Sequence, residues 1–206
     1  MNFIVFPGQG SQKIGMGKNL SDDFSEAKQV FEEVNDALNF NLTRVMWEGT
    51  DKEIALTSNA QPALMACSIA ALRVLNKITN KNLSDLASYV CGHSLGEYSA
   101  MTAAEVFSLN QCATLLRLRG DAMQKAVPIG KGAMAALIGA NVDTAIKVID
   151  KVKCYGICDI ANDKSQGQVV ISGDILAVEN AMKFSKDFGI KKAILLPVSA
   201  PFHCGL

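Results

Sequence analysis

Ser94 sits in Gly92-His93-Ser94-Leu95-Gly96, between the apolar run Tyr89-Val90-Cys91 and the helix-forming stretch Glu97 to Ala104. Gly-x-Ser-x-Gly between a strand and a helix predicts a nucleophile elbow, a turn too tight for side chains at its two glycines. Such a turn lifts the serine hydroxyl clear of the strand end. It also aims the first unpaired N–H groups of the helix at the point where an oxyanion forms. Leu95 carries one of those donors. A second is expected from Pro7-Gly8-Gln9-Gly10-Ser11-Gln12, the loop that ends the apolar run Phe3 to Phe6, with Gln9 as its source. No Gly-Lys-Ser/Thr follows these glycines, which argues against a phosphate loop.

A serine needs a base to act as a nucleophile near neutral pH. The chain has two histidines. His93 adjoins Ser94, and neighbouring side chains on a sharp turn diverge, so His203 is the expected base. It follows the Pro201 break in the closing run Val198 to Leu206, and the order Ser then His is that of α/β-hydrolase enzymes. Asp159, Asp163 and Asp174 do not look aimed at the site, so a histidine oriented by a backbone carbonyl is the simpler expectation. Arg119 is the third reactive group. It shares a helical stripe with Cys112, Leu115, Leu116, Ala122, Met123 and Ala126, whereas Arg117, Asp121 and Lys125 lie on another face and should be solvated. A buried guanidinium must meet an acceptor. That acceptor is either an internal carboxylate or a ligand carboxylate held by the guanidinium fork.

The elements that must position these groups follow from periodicity. Phe3 to Phe6 reads as a buried strand. Phe24, Ala27, Val30, Phe31, Val34, Ala37 and Leu38 mark a packing helix, with Asp22, Asp23 and Glu26 in its first turn. A second helix is expected from about Gln61 to Ile78 with Pro62 in its first turn. Gln61 either caps it or faces the site as a substrate contact. Ser108 and Gln111 form a capping box for the helix that carries Arg119. From Pro128 the pattern changes: strand Gly132–Ala140, helix Val142–Val152, strands Tyr155–Ala161 and Gln168–Ser172, helix Ile175–Phe188 capped by Gly189, and strand Lys192–Val198. The order βαββαβ is the ferredoxin-like unit. It is expected at 129–197 as an insert in a larger α/β body formed by 1–128 and 198–206. Asn162 is expected in a turn of its central hairpin.

The totals narrow the function classes. The chain has 206 residues, 49% of them hydrophobic, enough for a sizeable core. Lys+Arg and Asp+Glu are 20 each. That balance removes the electrostatic case for nucleic acid or an anionic membrane. No apolar run approaches the ~18 residues of a membrane span. The six cysteines form no Cys-x-x-Cys pair and read as reduced thiols of a cytoplasmic protein. No metal-site spacing occurs. The N-terminus enters a strand without the basic region of a signal peptide.

Taken together, Gly8-Gln9-Gly10-Ser11-Gln12, Gln61-Pro62-Ala63, Gly92-His93-Ser94-Leu95-Gly96-Glu97-Tyr98, Arg119-Gly120, Gly167-Gln168-Val169-Val170-Ile171-Ser172-Gly173 and Pro197-Val198-Ser199-Ala200-Pro201-Phe202-His203-Cys204 stand in one collinear order. The whole chain resembles the malonyl-CoA:acyl-carrier-protein transacylase family of type II fatty acid synthesis. The resemblance implies an α/β-hydrolase-like core with an inserted ferredoxin-like subdomain. It makes Ser94 the nucleophile, His203 the base, Arg119 the grip on the malonyl carboxylate, and the N–H groups of Gln9 and Leu95 the oxyanion hole. Phe202 stands where related polyketide acyltransferases often carry Phe when malonyl is preferred over methylmalonyl. No cofactor or metal is implied: a coenzyme A thioester is the substrate. The expected partners are malonyl-CoA and acyl carrier protein, with Lys131, Lys164, Lys186, Lys191 and Lys192 as a docking rim, and the protein is expected to be a monomer. Family members extend further at the C-terminus, so a fragment of a longer polypeptide is expected. The competing readings are a serine esterase or thioesterase, whose acyl pocket would hold no cation, and an inactive fragment that binds carrier protein.

Overall fold

The computed structural model describes residues 1–206 except Ile129 and Ser199. The expected subdomain start at 129 and one residue of the closing motif therefore lie outside the described residues. The fold is mixed α/β and forms two compact units, Met1–Asp121 and Ala122–Leu206.

The first unit is built around one long helix. Its elements are β1 (Phe3–Phe6), α1 (Lys18–Asp23), α2 (Ser25–Leu38), α3 (Leu42–Glu48), α4 (Asp51–Ala55), α5 (Thr57–Thr79), α6 (Leu83–Leu86), β2 (Tyr89–Gly92), α7 (Leu95–Ala103) and α8 (Leu109–Ala126), whose last residues pass into the second unit. α5 is apolar around most of its circumference, as a central helix must be. Ala63, Met65, Ala66 and Ala70 are fully buried, packed with Phe31, Val34, Met46, Leu95 and Leu116. β1 and β2 pair in parallel, Phe3 opposite Tyr89 and Phe6 opposite Gly92. Parallel pairing requires a long crossover, here the helical stretch between them.

Several expectations are corrected here. β1 is not a buried strand: Phe6 is buried, but Phe3 and Val5 are 58% and 68% exposed, because alternate side chains of this pair face outward. The helix expected from Asp22 is broken at Phe24, whose extended backbone (φ −132°, ψ 123°) separates α1 from α2, so Asp22 and Asp23 end one helix rather than open the next. α5 begins at Thr57, not Gln61, which places Pro62 inside the helix. Without a proline N–H, the Ser58 carbonyl has no helical donor. Nothing in the Pro62 signal alone revealed the extra turn. The Ser108–Gln111 capping box forms as expected, with Gln111 N–H donating to Ser108 Oγ (3.2 Å) and Ser108 N–H to Gln111 Oε1 (3.0 Å).

The second unit contains β3 (Gly132–Ile138), α9 (Val142–Val152), β4 (Cys158–Ser165), β5 (Gln168–Asp174), α10 (Ile175–Phe184) and β6 (Lys192–Leu195). The strand order is β4-β5-β3-β6, antiparallel throughout. Period-two alternation divides its faces. Ala133, Ala135, Leu137, Val169 and Ile171 pack with Val148 and Val152 of α9 and Ala177, Val178 and Ala181 of α10. Met134, Ala136 and Val170 face the other way and are covered by Ala200 and Phe202 of the closing segment. Asn162 lies within β4, opposite Val170 beside a register shift, and not in the hairpin turn. No helix among the described residues is long and apolar enough to cross a membrane.

Candidate active site

The turn after β2 has the conformation the glycine spacing demands. Ser94 adopts φ 56°, ψ −114°, a region that costs a non-glycine residue about 1–3 kcal/mol. The neighbouring glycines show why the turn is so sharp. A Cβ on Gly92 would lie 2.2 Å from the Gly96 carbonyl, and one on Gly96 would lie 2.5 Å from the Phe6 carbonyl oxygen. Gly96 N–H donates to the His93 carbonyl at 2.9 Å and closes the turn. Leu95 opens α7, so its N–H is among those a helix leaves unpaired. Leu95 itself is buried. The loop after β1 runs close by: a Cβ on Gly8 would sit 3.3 Å from the His93 carbonyl oxygen. Gln9 in that loop donates from Nε2 to Thr57 Oγ1 at 3.3 Å.

Arg119 reaches this turn because of the residue that follows it. A Cβ on Gly120 would lie 2.5 Å from the Ser58 Cα, so glycine lets α8 cross α5 backbone to backbone where Pro62 interrupts its hydrogen bonding. From that crossing Arg119 Nη2 donates to Ser94 Oγ at 2.9 Å, and Nη1 donates to Gln61 Oε1 at 2.5 Å. Gln61 is fully buried. It lies inside α5 and faces the arginine, so it does not cap the helix. The Tyr98 ring stacks under the guanidinium at 5.5 Å. Gln61 and Ser94, its hydrogen-bond partners here, are neutral, and no carboxylate pairs with it among the described residues.

The stripe around Arg119 is less buried than its periodicity implies, since Leu115, Ala122 and Ala126 are exposed. Arg117 is the reverse correction. It is half-buried rather than solvated, donating to Asn59 Oδ1 at 2.8 Å and lying 4.7 Å over the Phe40 ring. Burial pulls its pKa down, with Asp121 acting against that. The close α5–α8 crossing is the cause: it turns a face expected in solvent toward the start of α5.

His203 and Phe202 belong to the second unit. Phe202 is buried against Met134, and its N–H donates to the Met134 Sδ at 3.4 Å. His203 is exposed and holds φ 58°. Two residues on, Gly205 N–H donates to Asp159 Oδ2 at 2.8 Å. The sequence reading missed Tyr98, Thr57 and this contact of Asp159. Tyr98 had a signal, since it stands one helical turn beyond Ser94 on α7.

Residues 3–193 match the family described as Acyl transferase domain. The chain belongs to that acyltransferase family. It is 44% identical over 204 residues to malonyl CoA-acyl carrier protein transacylase of Bacillus subtilis, covering 98% of this chain and 63% of the relative. Among solved structures it is similar to the acyl-carrier-protein-S-malonyltransferase of Bartonella henselae, with TM-score 0.93, 51% identity, and coverage of 98% of this chain and 65% of the other. It is also similar to a malonyl-transacylase solved in complex with a type II PKS acyl-carrier protein, with TM-score 0.92, 41% identity, and coverage of 98% and 64%. The chain thus spans somewhat less than two thirds of these relatives. Within this acyltransferase chain, one unit brings Ser94, Leu95, Gln61 and Arg119 together, with the Gln9 loop beside His93.

Proposed function

We propose that this acyltransferase chain takes part in moving a malonyl group from malonyl-CoA to the phosphopantetheine thiol of an acyl carrier protein, through malonyl-Ser94. The observation that carries the reading is the Arg119 guanidinium, 2.9 Å from the Ser94 hydroxyl oxygen and without a carboxylate partner among the described residues. A malonyl group on Oγ places its carboxylate a single methylene beyond the ester carbonyl, within reach of that fork. A serine esterase has no use for a cation there.

In the first half-reaction His203 accepts the Ser94 proton and Oγ attacks the thioester carbonyl. The N–H groups of Leu95 and Gln9 receive the developing oxyanion. The C–S bond breaks, and coenzyme A leaves as a thiol with the proton from His203. In the second, the carrier thiol gives its proton to His203 and attacks malonyl-Ser94; the ester bond breaks and Ser94 recovers its proton. Water must be excluded between the two. The thioester is substrate, and the scheme calls for no resident cofactor. Phe202 is assigned to crowd a 2-methyl substituent, and Gln61 to hold Arg119 in place.

In this reading the first unit makes up most of the α/β-hydrolase-like core expected at 1–128 and 198–206, although 122–128 and 198–206 fall in the second compact unit. The βαββαβ unit (129–197), whose order β4-β5-β3-β6 supports the assignment, is the ferredoxin-like subdomain. Lys186, Lys191 and Lys192 line a groove with Lys183 beside β6. They are assigned to an acidic carrier surface, while Lys164 lies apart at the β4–β5 hairpin.

The test is intact mass after mixing with malonyl-CoA. One malonyl group should appear on the Ser94-bearing peptide and vanish in Ser94→Ala. Arg119→Ala should lower the rate of labelling by at least about a hundredfold, because the discrimination rests on pairing a charge. Equal labelling by acetyl-CoA and malonyl-CoA, or label on another residue, overturns the proposal.

A further inference from the structure

Among the described residues, the closing segment that bears His203 meets its sheet on both sides of the histidine. Pro201 lies over Gly132 at the start of β3, where a Cβ would come 2.2 Å from the Pro201 Cγ. Phe202 N–H donates to the Met134 Sδ at 3.4 Å. Gly205 N–H donates to the Asp159 carboxylate at 2.8 Å. The first two anchors precede the histidine and the third follows it. Between them His203 holds φ 58°, a left-handed conformation that a lone non-glycine residue keeps only when its surroundings impose it.

Asp159 is itself held firmly. It is the second residue of β4, opposite Ser172 in the β4–β5 ladder. The strand start just before it is clamped by Asp174, whose Oδ2 accepts the Ile157 N–H at 2.7 Å and whose N–H donates to the Ile157 carbonyl at 2.8 Å. In a strand, neighbouring side chains take opposite faces. Cys158 points into the core beneath α9 and α10, so Asp159 points to the face that the closing segment covers. The carboxylate is therefore an acceptor projecting from a sheet toward the closing segment. A charge-assisted bond from a backbone N–H is of the stronger kind.

We propose that Asp159 is a positioning residue for His203: its carboxylate fixes the Gly205 N–H and so holds the imidazole in the left-handed turn from which it works. The role rests on the reading of His203 as the base, but its test does not. The chain has two histidines, His93 and His203, so ring resonances in an NMR spectrum are assigned with one His203→Gln control. His93 lies in the other unit and serves as the internal standard.

The experiment follows the His203 ring resonance and the Gly205 amide in the 206-residue chain, in Asp159→Ala and in Asp159→Asn. In Asp159→Ala the His203 signal moves toward its random-coil position and broadens, while His93 stays in place. Hydrogen exchange at Gly205 rises by about tenfold, the factor expected for one lost bond. Asp159→Asn keeps a side-chain oxygen as acceptor, so it restores most of the His203 shift and most of the protection. β5 amide protection, unchanged in both variants, shows that the sheet survives. Two results overturn the proposal. One is an unchanged His203 signal and Gly205 exchange in Asp159→Ala. The other is an Asp159→Asn spectrum indistinguishable from that of Asp159→Ala, which assigns the effect to charge instead of to the bond. Absence of malonyl label on Ser94 would sink the proposed transfer and leave this result standing.

Discussion

Ser94 and His203 share an unusual backbone property: both hold positive φ, 56° and 58°. They are held there by different means. The Ser94 turn is enforced by backbone against backbone, with Gly92 against Gly96 and Gly96 against the carbonyl of Phe6. The His203 turn is enforced by side chains that reach in from a sheet, Met134 on one flank and Asp159 on the other. A turn made by close backbone approach tolerates no substitution at its glycines. A turn made by tethers loosens by degrees. In the proposed transfer, a nucleophile that must share one point with its oxyanion donors suits the first arrangement, and a base that must take up and give back a proton twice in each cycle suits the second.

That contrast predicts very different sensitivities. The largest effect is expected at the elbow glycines. Gly92→Ala puts a methyl group 2.2 Å from main-chain atoms of Gly96, and no side-chain rotation relieves it. Denaturant unfolding should show a loss of about 3 kcal/mol or more, at the upper end for overpacking. Gly96→Ala should behave alike. Gly10→Ala, in open space on the neighbouring loop though at φ 111°, should cost only the backbone strain, about 1–2 kcal/mol. If Gly92→Ala cost no more than Gly10→Ala, the elbow would not be the rigid half of the comparison.

A smaller effect separates backbone strain from side-chain contacts at the serine. Ser94→Ala and Ser94→Gly both remove the hydroxyl and its bond from Arg119, and they differ only in tolerance of φ 56°, ψ −114°. Ser94→Gly should be the more stable of the pair by about 2 kcal/mol, measured by thermal or denaturant unfolding. Both should take no malonyl label. Equal stabilities would mean that the strain is absent or is released elsewhere in the turn.

The same contrast explains what the sequence disclosed. The elbow was legible because its physics is local: two glycines, one serine, and the switch from strand to helix lie within a short stretch. The βαββαβ order of the second unit was legible because each strand and helix carries its own period, and α9 came out at Val142–Val152 as read. Arg119 stood out through its stripe, although Leu115 and Ala126 proved exposed and Arg117 half-buried. Those two errors share a cause. Which face of α8 is covered depends on Gly120 meeting Ser58, a contact between residues far apart in sequence. Asp159 was set aside for a like reason: its distance in sequence from His203 hides a hydrogen bond to Gly205. The outward face of β1 escaped notice because an apolar run in a short strand does not say which of its sides is covered.

The smallest expected effect lies at His203 and tests whether its turn is tethered. His203→Gly should exceed His203→Ala in stability by about 1 kcal/mol, since alanine must keep a left-handed conformation there and glycine need not strain to do so. This gap should be smaller than the one at Ser94, whose ψ of −114° lies far from the left-handed well open to an L-residue. The gap also has to depend on Asp159. With the tether cut in Asp159→Ala, the closing segment can leave the left-handed region, and alanine loses its penalty. A double-mutant cycle should therefore give a coupling of about 1 kcal/mol between positions 159 and 203, well above the few tenths seen for independent sites. Ser94 offers the control, because its glycine–alanine gap should be the same with and without the Asp159 carboxylate. A gap at 203 that persists undiminished in Asp159→Ala would mean that the turn holds itself, and the two turns would then be of one kind.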